Sequence, residues 1–232
     1  MRCVLLAAGI GTRLRPITND IPKCLVPING KPLMEYWFDL LIKNSCLEKI
    51  LVNTHYLPHL VVEFVNNSKW KNFVDVVYED NLLGTGGTLI KNRDWIGDQK
   101  FMVVHADNLS FFDTKEFIDR HNLRPEECLI TMMTFDTDVP HECGILEVEN
   151  SVVKFMYEKS SEFHGIRANG AVYIFEPEVL DFMENLNKSV IDISIDVLPF
   201  FMGRIFCFHN EIYHRDIGTL DSYQKAQRHS PF

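Results

Sequence analysis

Residues 2–32, which read RCVLLAAGIGTRLRPITNDIPKCLVPINGKP, decide the fold. Cys3 to Ala8 form an uninterrupted apolar run of strand length, which is typical of a strand buried on both faces of a parallel sheet. Gly9 and Gly11 follow at once. Glycines after a buried strand leave backbone N–H groups uncovered by side chains, and such a concavity binds phosphate. The stretch therefore predicts a strand that runs into an anion-binding loop.

Positive charge accompanies this loop in Arg13, Arg15 and Lys23. A tight turn with surface cations is the plain alternative. A dinucleotide-binding G-x-G-x-x-G fingerprint is excluded, because Leu14 stands where the third small residue belongs and Pro16 would fall inside the following helix. The loop of about twenty residues exceeds what a connection needs, which favours a functional loop.

Three motifs here resemble a known family: Leu6–Leu14 (LAAGIGTRL), Pro22-Lys23 and Gly30–Leu33 (GKPL). Their order and spacing are similar to the signature of the nucleoside-diphosphate-sugar pyrophosphorylases, also called sugar-1-phosphate nucleotidyltransferases. The resemblance extends over nearly the whole chain and is closest to the short bacterial guanylyl- and uridylyltransferases that act on mannose, heptose or related 1-phosphates. It implies attack of a sugar 1-phosphate on the α-phosphorus of a nucleoside triphosphate, with release of pyrophosphate, in the synthesis of surface polysaccharide precursors.

The composition limits the partners. The net charge of −9 over 232 residues argues against nonspecific nucleic-acid binding. No stretch approaches the roughly 18 apolar residues of a membrane span, and no secretory leader is recognisable. Six cysteines without a C-x-x-C pair indicate reduced thiols in a cytoplasmic protein. Oligomeric state is not readable from the sequence, although a homodimer is one expected form.

Apolar periodicity predicts the fold class. Strand-like and helix-like segments alternate, which is typical of an α/β protein. We expect a Rossmann-like, mostly parallel but mixed sheet with helices on both faces, and a small β-rich sugar-binding subregion from residue 136 onward. The chain is expected to be one domain, with a nucleotide-binding half (1–135) and a sugar-phosphate-binding half (136–232). The predicted strands lie at 49–53, 73–78, 101–105, 128–135, 144–148, 152–157, 171–175 and 204–208, and the helices at 33–42, 57–65, 177–186, 193–200 and 220–227.

Residues 79–88 (EDNLLGTGGT) are predicted to be a glycine-rich loop. By resemblance, Gly84 and Thr85 lie against the nucleoside and Glu79 reads the base edge. A carboxylate accepts two hydrogen bonds, and guanine offers two adjacent donors, which favours GTP; the amino group of cytosine keeps CTP open. An exposed Glu79 without any role is the alternative.

The resemblance also implies roles in the first loop and a magnesium site. The catalytic residues are expected to be Arg13, at the departing phosphates, Lys23, at the sugar phosphate, and Asp107. Asp107 follows a buried strand, and Asp216 precedes Ile-Gly-Thr; together they are expected to hold Mg²⁺. As plain residues, Asp107 fits a helix N-cap and Asp216 fits a turn. The nucleotide-binding residues of the first loop are expected to be Leu6, Ala8, Gly9, Gly11, Thr12 and Arg13.

Two later motifs resemble the sugar-binding elements of the family: residues 155–159 (FMYEK) and 168–173 (ANGAVY). They imply that Glu158 and Asn169 contact sugar hydroxyls, that Lys159 joins Lys23 at the sugar phosphate, and that Gly144 lines this region. A solvated strand edge is the alternative for the Glu-Lys pair. Ser160 and Leu220 replace prolines of the family pattern, and Ala106 replaces a glycine, so a non-sugar phosphorylated acceptor stays open. A non-catalytic subunit that binds sugar nucleotides is the other open alternative.

Overall fold

The computed structural model describes residues 1–43 and 47–229. Its strands are β1 (Arg2–Leu6), β2 (Pro27–Ile28), β3 (Lys31–Pro32), β4 (Ile50–Thr54), β5 (Val74–Tyr78), β6 (Phe101–His105), β7 (Asn108–Phe111), β8 (Ile130–Asp136), β9 (Gly144–Glu149), β10 (Val152–Glu158), β11 (Arg167–Phe175), β12 (Ile205–His209) and β13 (Tyr213–Asp216). Its helices are α1 (Leu33–Lys43), α2 (Pro58–Asn67), α3 (Gly84–Lys91), α4 (Arg93–Ile96), α5 (Thr114–Asn122), α6 (Pro177–Asn185) and α7 (Leu220–His229). The predicted α/β fold with a mixed sheet is confirmed.

The described residues group into two compact units. The first comprises those within Met1–Leu82, Val104–Thr114 and Ile212–Phe232, and the second comprises Leu83–Val103 and Lys115–Glu211. The predicted single domain, with its halves meeting at residue 135, stays a prediction. Of the six cysteines, Cys46 lies outside the described residues and the others are free thiols.

In the first unit, the buried opening strand lies beside two parallel neighbours. β1 pairs with β4 in parallel, with Leu5 opposite Val52, and β4 pairs in parallel with β5. Every residue of β4 is buried, as an apolar run inside a parallel sheet requires. Parallel strands end at the same edge, so the loops after β1, β4 and β5 emerge together.

A two-stranded ribbon in the same unit was not predicted. β7 pairs antiparallel with β13, and Asn108 lies opposite Asp216. β7 begins directly after Asp107 and β13 ends at Asp216, so the pairing brings the two carboxylates to the same end of the ribbon. The predicted N-cap role of Asp107 is wrong because a strand, rather than a helix, follows it.

In the second unit, β8 lies between β11, antiparallel to it, and β12, parallel to it. The predicted hairpin of residues 144–157 is confirmed as β9 and β10, whose turn residues Asn150 and Ser151 have positive φ angles of 50° and 62°. The pairing of β11 with β8 shifts register between Asn169 and Tyr173. The predicted helix over 193–200 is a π-turn followed by a 3₁₀ turn.

The glycine-rich loop predicted at 79–88 is wrong in its second half, where α3 begins at Gly84. The backbone N–H groups of Gly86 and Gly87 donate to the carbonyl oxygen of Ile191, at 2.8 and 3.4 Å. A Cβ on Gly84 would lie 2.9 Å from the carbonyl carbon of Ile191. The glycines therefore permit close approach of another backbone segment, and this tertiary contact overrides the low helix propensity of glycine.

A bilayer crossing would need a longer and more apolar helix than any found in residues 1–43 and 47–229.

Candidate active site

The first loop is folded tightly around Gly11. Gly11 has a left-handed φ of +70°, and its carbonyl oxygen accepts a hydrogen bond of 2.7 Å from the hydroxyl of Thr18. A Cβ at this position would lie 3.1 Å from the Cβ of Lys23. A Cβ at Gly9 would meet nothing within 4 Å. Gly11 thus lets the loop turn back beside Lys23, while the backbone at Gly9 faces open space.

Apolar packing holds this loop to the ribbon and to α7. Leu14 and Val26 of the loop segment pack in one buried cluster with Leu109 of β7 and Ile217, the residue after β13. Trp37 of α1 donates from its indole to the carbonyl oxygen of Asn108, at 2.7 Å. The residues that follow each of the two carboxylates are therefore anchored in the core.

Four charged side chains converge next to the loop. The ammonium of Lys23 lies 2.8 Å from Oδ2 of Asp107 and 3.2 Å from Oδ1 of Asp216. Lys23 is only 6% exposed, whereas the side chains of Asp107 and Asp216 are 43% and 48% exposed. Arg13 approaches Oδ2 of Asp216 at 4.0 Å and is mostly exposed. The cluster presents two accessible carboxylates and one accessible guanidinium above a buried ammonium.

The pKa values of the two carboxylates are shifted in opposite directions. Desolvation opposes ionisation of Asp107, yet the charges of Lys23 and His105 outweigh it and lower the pKa of Asp107 to about 2. Desolvation, together with the negative charge of Asp107, raises the pKa of Asp216. Desolvation lowers the pKa of the Lys23 ammonium, but the two carboxylates more than offset this and raise it. Lys23 is therefore charged at neutral pH, where Asp107 is ionised.

The donor set fits a small, hard cation. Asp107 and Asp216 supply carboxylate oxygens, which Mg²⁺ prefers, and phosphate oxygens of a substrate usually complete such a site. No group of three or more His, Cys, Asp or Glu side chains suited to a metal occurs in the described part of the chain. Two carboxylates without a third protein ligand are suited to an ion that arrives with a phosphate.

Glu79 lies at the end of β5 and is 1% exposed. The alternative of an exposed Glu79 is wrong, and its role in reading the base stays a prediction. Its Oε1 accepts a hydrogen bond of 3.1 Å from the side chain of Asn53, and its backbone N–H donates to the carbonyl oxygen of Thr54. Burial of a carboxylate requires such partners.

In the second unit, the structure places Gly84 and Thr85 at the start of α3. The hydroxyl of Thr85 accepts a hydrogen bond of 2.7 Å from the backbone N–H of Ile193. Ile191 and Ile193 thus hold the beginning of the helix that the family resemblance predicts to lie against the nucleoside.

The predicted sugar-binding residues of the second unit form two groups. Gly144 lies opposite Glu158 in the β9–β10 hairpin, and a Cβ on Gly144 would lie 2.8 Å from Oε2 of Glu158. Glycine at 144 therefore makes room for this carboxylate. Lys159 has a positive φ of 47° and its side chain is 68% exposed, 3.7 Å from Glu158.

Asn169 is held by Tyr173 across the irregularity in β11. The amide of Asn169 donates to the phenol oxygen of Tyr173 at 2.7 Å, and the phenol lies 2.9 Å from Oδ1 of Asn169. Burial raises the pKa of Tyr173, and the negative charges of Asp192 and Glu158 add to this. Tyr173 thus remains a neutral donor and acceptor beside Asn169.

A family model described as Nucleotidyl transferase matches residues 2–231. The chain belongs to this family. The family predicted from the opening motifs is thereby confirmed.

Three relatives of this nucleotidyl transferase show the range of similar proteins. Mannose-1-phosphate guanylyltransferase 1 of Arabidopsis thaliana is 31% identical over 192 residues, 79% of this chain and 52% of that protein. The D-glycero-alpha-D-manno-heptose 1-phosphate guanylyltransferase of Aneurinibacillus thermoaerophilus is 24% identical over 98% of this chain and 97% of its own. A UTP–glucose-1-phosphate uridylyltransferase of Synechocystis sp. is 27% identical over 98% of this chain and 63% of its own. The chain spans about half the length (52%) of the plant relatives.

Solved structures support the nucleotidyl transferase fold. HddC from Yersinia pseudotuberculosis, complexed with GMP-PN, has a TM-score of 0.77 and 28% identity, covering 98% of both chains. An apo UDP-glucose pyrophosphorylase has a TM-score of 0.81 at 20% identity, covers 98% of this chain and 96% of its own, and shows the fold alone.

Sequence reasoning missed two polar residues that hold predicted site residues of this nucleotidyl transferase. Asn53 contacts Glu79 and the backbone of Ala7, and Tyr173 contacts Asn169. A signal existed for Asn53, because a polar side chain at the carboxyl end of a buried parallel strand faces the ligand edge of the sheet. Tyr173 closes the motif at residues 168–173, but its contact with Asn169 was not predicted, since an ordinary strand would not bring side chains four residues apart into contact.

Proposed function

We propose that the chain transfers a nucleotidyl group from a nucleoside triphosphate to a sugar 1-phosphate and releases pyrophosphate. The convergence of Lys23, Asp107 and Asp216 beside the first glycine loop carries this proposal. Both substrates are anions, so a catalyst must align them and offset their repulsion, and no protein nucleophile is needed.

The residues of the first unit divide this work. The space beside Gly9 is open, and backbone N–H groups of the loop would bind the triphosphate there. Arg13, mostly exposed, would neutralise the departing phosphates. Lys23 would hold the two carboxylates in place and face the incoming sugar phosphate. In the second unit, Glu158 and Asn169 would bind sugar hydroxyls, and the exposed Lys159 would reach the sugar phosphate.

Asp107 and Asp216 would hold Mg²⁺, which when bound neutralises phosphate charge and polarises the phosphoryl group. The low pKa of Asp107, about 2, keeps this carboxylate ionised at neutral pH.

We favour GTP as the donor and mannose, heptose or a hexosamine-like 1-phosphate as the acceptor. The relatives named above include mannose- and heptose-1-phosphate guanylyltransferases. The carboxylate of Glu79, although buried beside Asn53, has the acceptors that the paired donors of guanine require. The uridylyltransferase among the relatives keeps UTP as an alternative donor, and dTTP and CTP stay open. A cytoplasmic location, a role in surface polysaccharide synthesis and a homodimer stay predictions.

A pyrophosphate-release assay tests the proposal. GTP, CTP, UTP and dTTP are each combined with mannose, heptose, glucosamine or glucose 1-phosphate, with and without Mg²⁺. We expect Mg²⁺-dependent turnover with GTP and the 1-phosphate of mannose, heptose or glucosamine. Triphosphate binding without turnover in every combination would instead identify a non-catalytic binding subunit.

Asp107→Asn tests the assignment of the carboxylates. We expect the turnover number to fall by at least about 100-fold, in the range for loss of one electrostatic stabiliser, while the circular dichroism spectrum is retained. Asp75→Asn is the matched control, since Asp75 is comparably exposed (43%) and paired with a lysine, Lys49. An Asp107→Asn protein with near wild-type turnover at saturating Mg²⁺ would contradict this role.

A further inference from the structure

Asn53 connects two predicted nucleotide-binding segments inside the first unit. It stands near the carboxyl end of β4 and is 2% exposed. Its Oδ1 accepts a hydrogen bond of 2.7 Å from the backbone N–H of Ala7, and its Nδ2 donates to Oε1 of Glu79 at 3.1 Å. One buried amide therefore contacts both the start of the glycine loop and the carboxylate assigned to the base.

The location of these contacts follows from strand register. Asn53 lies opposite Leu6 in the parallel pair, and Ala7 is the first residue beyond β1. Where the regular ladder of β1 ends, the side chain of Asn53 therefore takes the next backbone N–H. Asn53 also lies opposite Val77 of β5, two residues before Glu79. The three groups thus sit at adjacent strand ends on the edge where ligands bind in such sheets.

The chemistry allows only one orientation of the amide. A backbone N–H is only a donor and an ionised carboxylate is only an acceptor, so Oδ1 must face Ala7 and Nδ2 must face Glu79. The main chain of Glu79 is itself held, because its N–H donates to the carbonyl oxygen of Thr54 and its carbonyl oxygen lies 2.8 Å from Nδ1 of His55. The hydrogen-bonded path Glu79–Asn53–Ala7 is consequently anchored at Glu79.

We propose that Asn53 is a positioning residue that fixes the start of the phosphate-binding loop relative to Glu79. This inference rests on the proposed function. A nucleotide that contacts Glu79 with its base and the loop with its phosphates spans both ends of this path. Asn53 holds these two ends in one fixed arrangement, without touching substrate itself.

A charge swap tests the role. Asn53→Asp places a second carboxylate against Glu79 and should lower kcat/KM for GTP by about 10- to 100-fold, the range for misplacement of a reacting group. The double variant Asn53→Asp with Glu79→Gln restores complementary groups, because the new carboxylate at position 53 accepts from both the Ala7 N–H and the new amide at position 79. We expect the double variant to recover to within about fivefold of Glu79→Gln alone.

The readouts separate positioning from simple loss of stability. KM for GTP should rise in Asn53→Asp while KM for the sugar 1-phosphate stays within about twofold, a split that general destabilisation would not produce. Thr54→Val is the matched control, since the buried hydroxyl of Thr54 has no hydrogen-bond partner among the described residues. This control should keep wild-type kinetics.

Equilibrium binding of GTP, measured by calorimetry, is followed in parallel with turnover. If the wild type binds GTP but does not turn over, the proposed function fails, while loss of binding in Asn53→Asp and its recovery in the double variant would still support the positioning role. Wild-type GTP kinetics or affinity in Asn53→Asp, no recovery in the double variant, or no triphosphate binding by the wild type would each overturn it.

Discussion

Replacement of Lys23 by methionine removes the ammonium and keeps most of the length of the unbranched side chain. In the wild type the ammonium lies 2.8 and 3.2 Å from the two carboxylates. At about 3 Å and an effective dielectric constant of about 20, each attraction is roughly 5 kcal/mol before desolvation is subtracted. Removal of one partner from a buried ion pair costs about 3–5 kcal/mol, and from an exposed pair less than about 1 kcal/mol.

The cluster lies between these limits, because Lys23 is 6% exposed and the carboxylates are almost half exposed. We therefore expect Lys23→Met to lower the free energy of unfolding by about 2–3 kcal/mol at pH 7. The loss should shrink as the pH falls. Asp107 has a folded pKa of about 2, below its ordinary value of 3.8, so the stability it gains from Lys23 is present above pH 3.8 and disappears toward pH 2.

Urea unfolding at several pH values, followed by circular dichroism and tryptophan fluorescence, measures the effect. Lys49→Met is the control, because Lys49 pairs with Asp75 at 3.3 Å at the surface and should change stability by less than about 1 kcal/mol. In the pyrophosphate assay, Lys23→Met should also lower kcat/KM for the sugar 1-phosphate by about 10- to 150-fold, the equivalent of one lost charge-assisted contact. A Lys23→Met protein as stable as Lys49→Met at pH 7 would refute the electrostatic account of this cluster.

Two further predictions concern the second unit. Gly84→Ala should lower the free energy of unfolding by about 2–4 kcal/mol, because Gly84 has a φ of +76° and the new Cβ would clash with the carbonyl of Ile191. The control is Gly203→Ala, which has a similar φ of +82° but open space around the Cβ and should cost only about 1 kcal/mol in the same urea titration. Equal losses in the two variants would contradict the packing argument. Burial and the nearby charges of Arg124 and Lys100 lower the pKa of His121 to about 3 in the folded protein. Between about pH 6.5 and pH 3 the imidazole is therefore protonated only after unfolding, so the free energy of unfolding should fall by up to about 1.4 kcal/mol for each pH unit that the pH drops. His121→Gln should remove this contribution to the pH dependence, and an unchanged slope below pH 6.5 would contradict it.

The opening segment shows how far local pattern reaches. The apolar run from Cys3 to Ala8 was predicted to be a buried parallel strand, and a strand buried at its centre with a parallel neighbour is present, although it ends at Leu6. Gly11 was singled out as a loop glycine and does adopt a left-handed φ. These features depend on backbone conformation and hydrophobic burial within a few residues, which sequence patterns report directly.

The glycines at 84–87 show where local pattern misleads. Glycine opposes helix formation, so three glycines in four residues predicted a loop, yet they begin α3. Their partner, Ile191, lies more than 100 residues further along the chain, and nothing in the local sequence announces it. The contact between Asn169 and Tyr173 also depends on the tertiary structure, because these side chains meet only where the register of β11 shifts between them.

The sequence alone determined the α/β class, the first glycine loop (Gly9 and Gly11) and the family, because each depends on patterns among residues that are close together in the chain. Only the tertiary structure decided that Lys23 bridges Asp107 and Asp216, that Glu79 is buried against Asn53, and that the two aspartates meet through a strand ribbon. Charges 84 and 193 residues apart interact only when folding brings them within a few ångströms. Their distance, and with it their pKa values and chemistry, is a property of the packed chain.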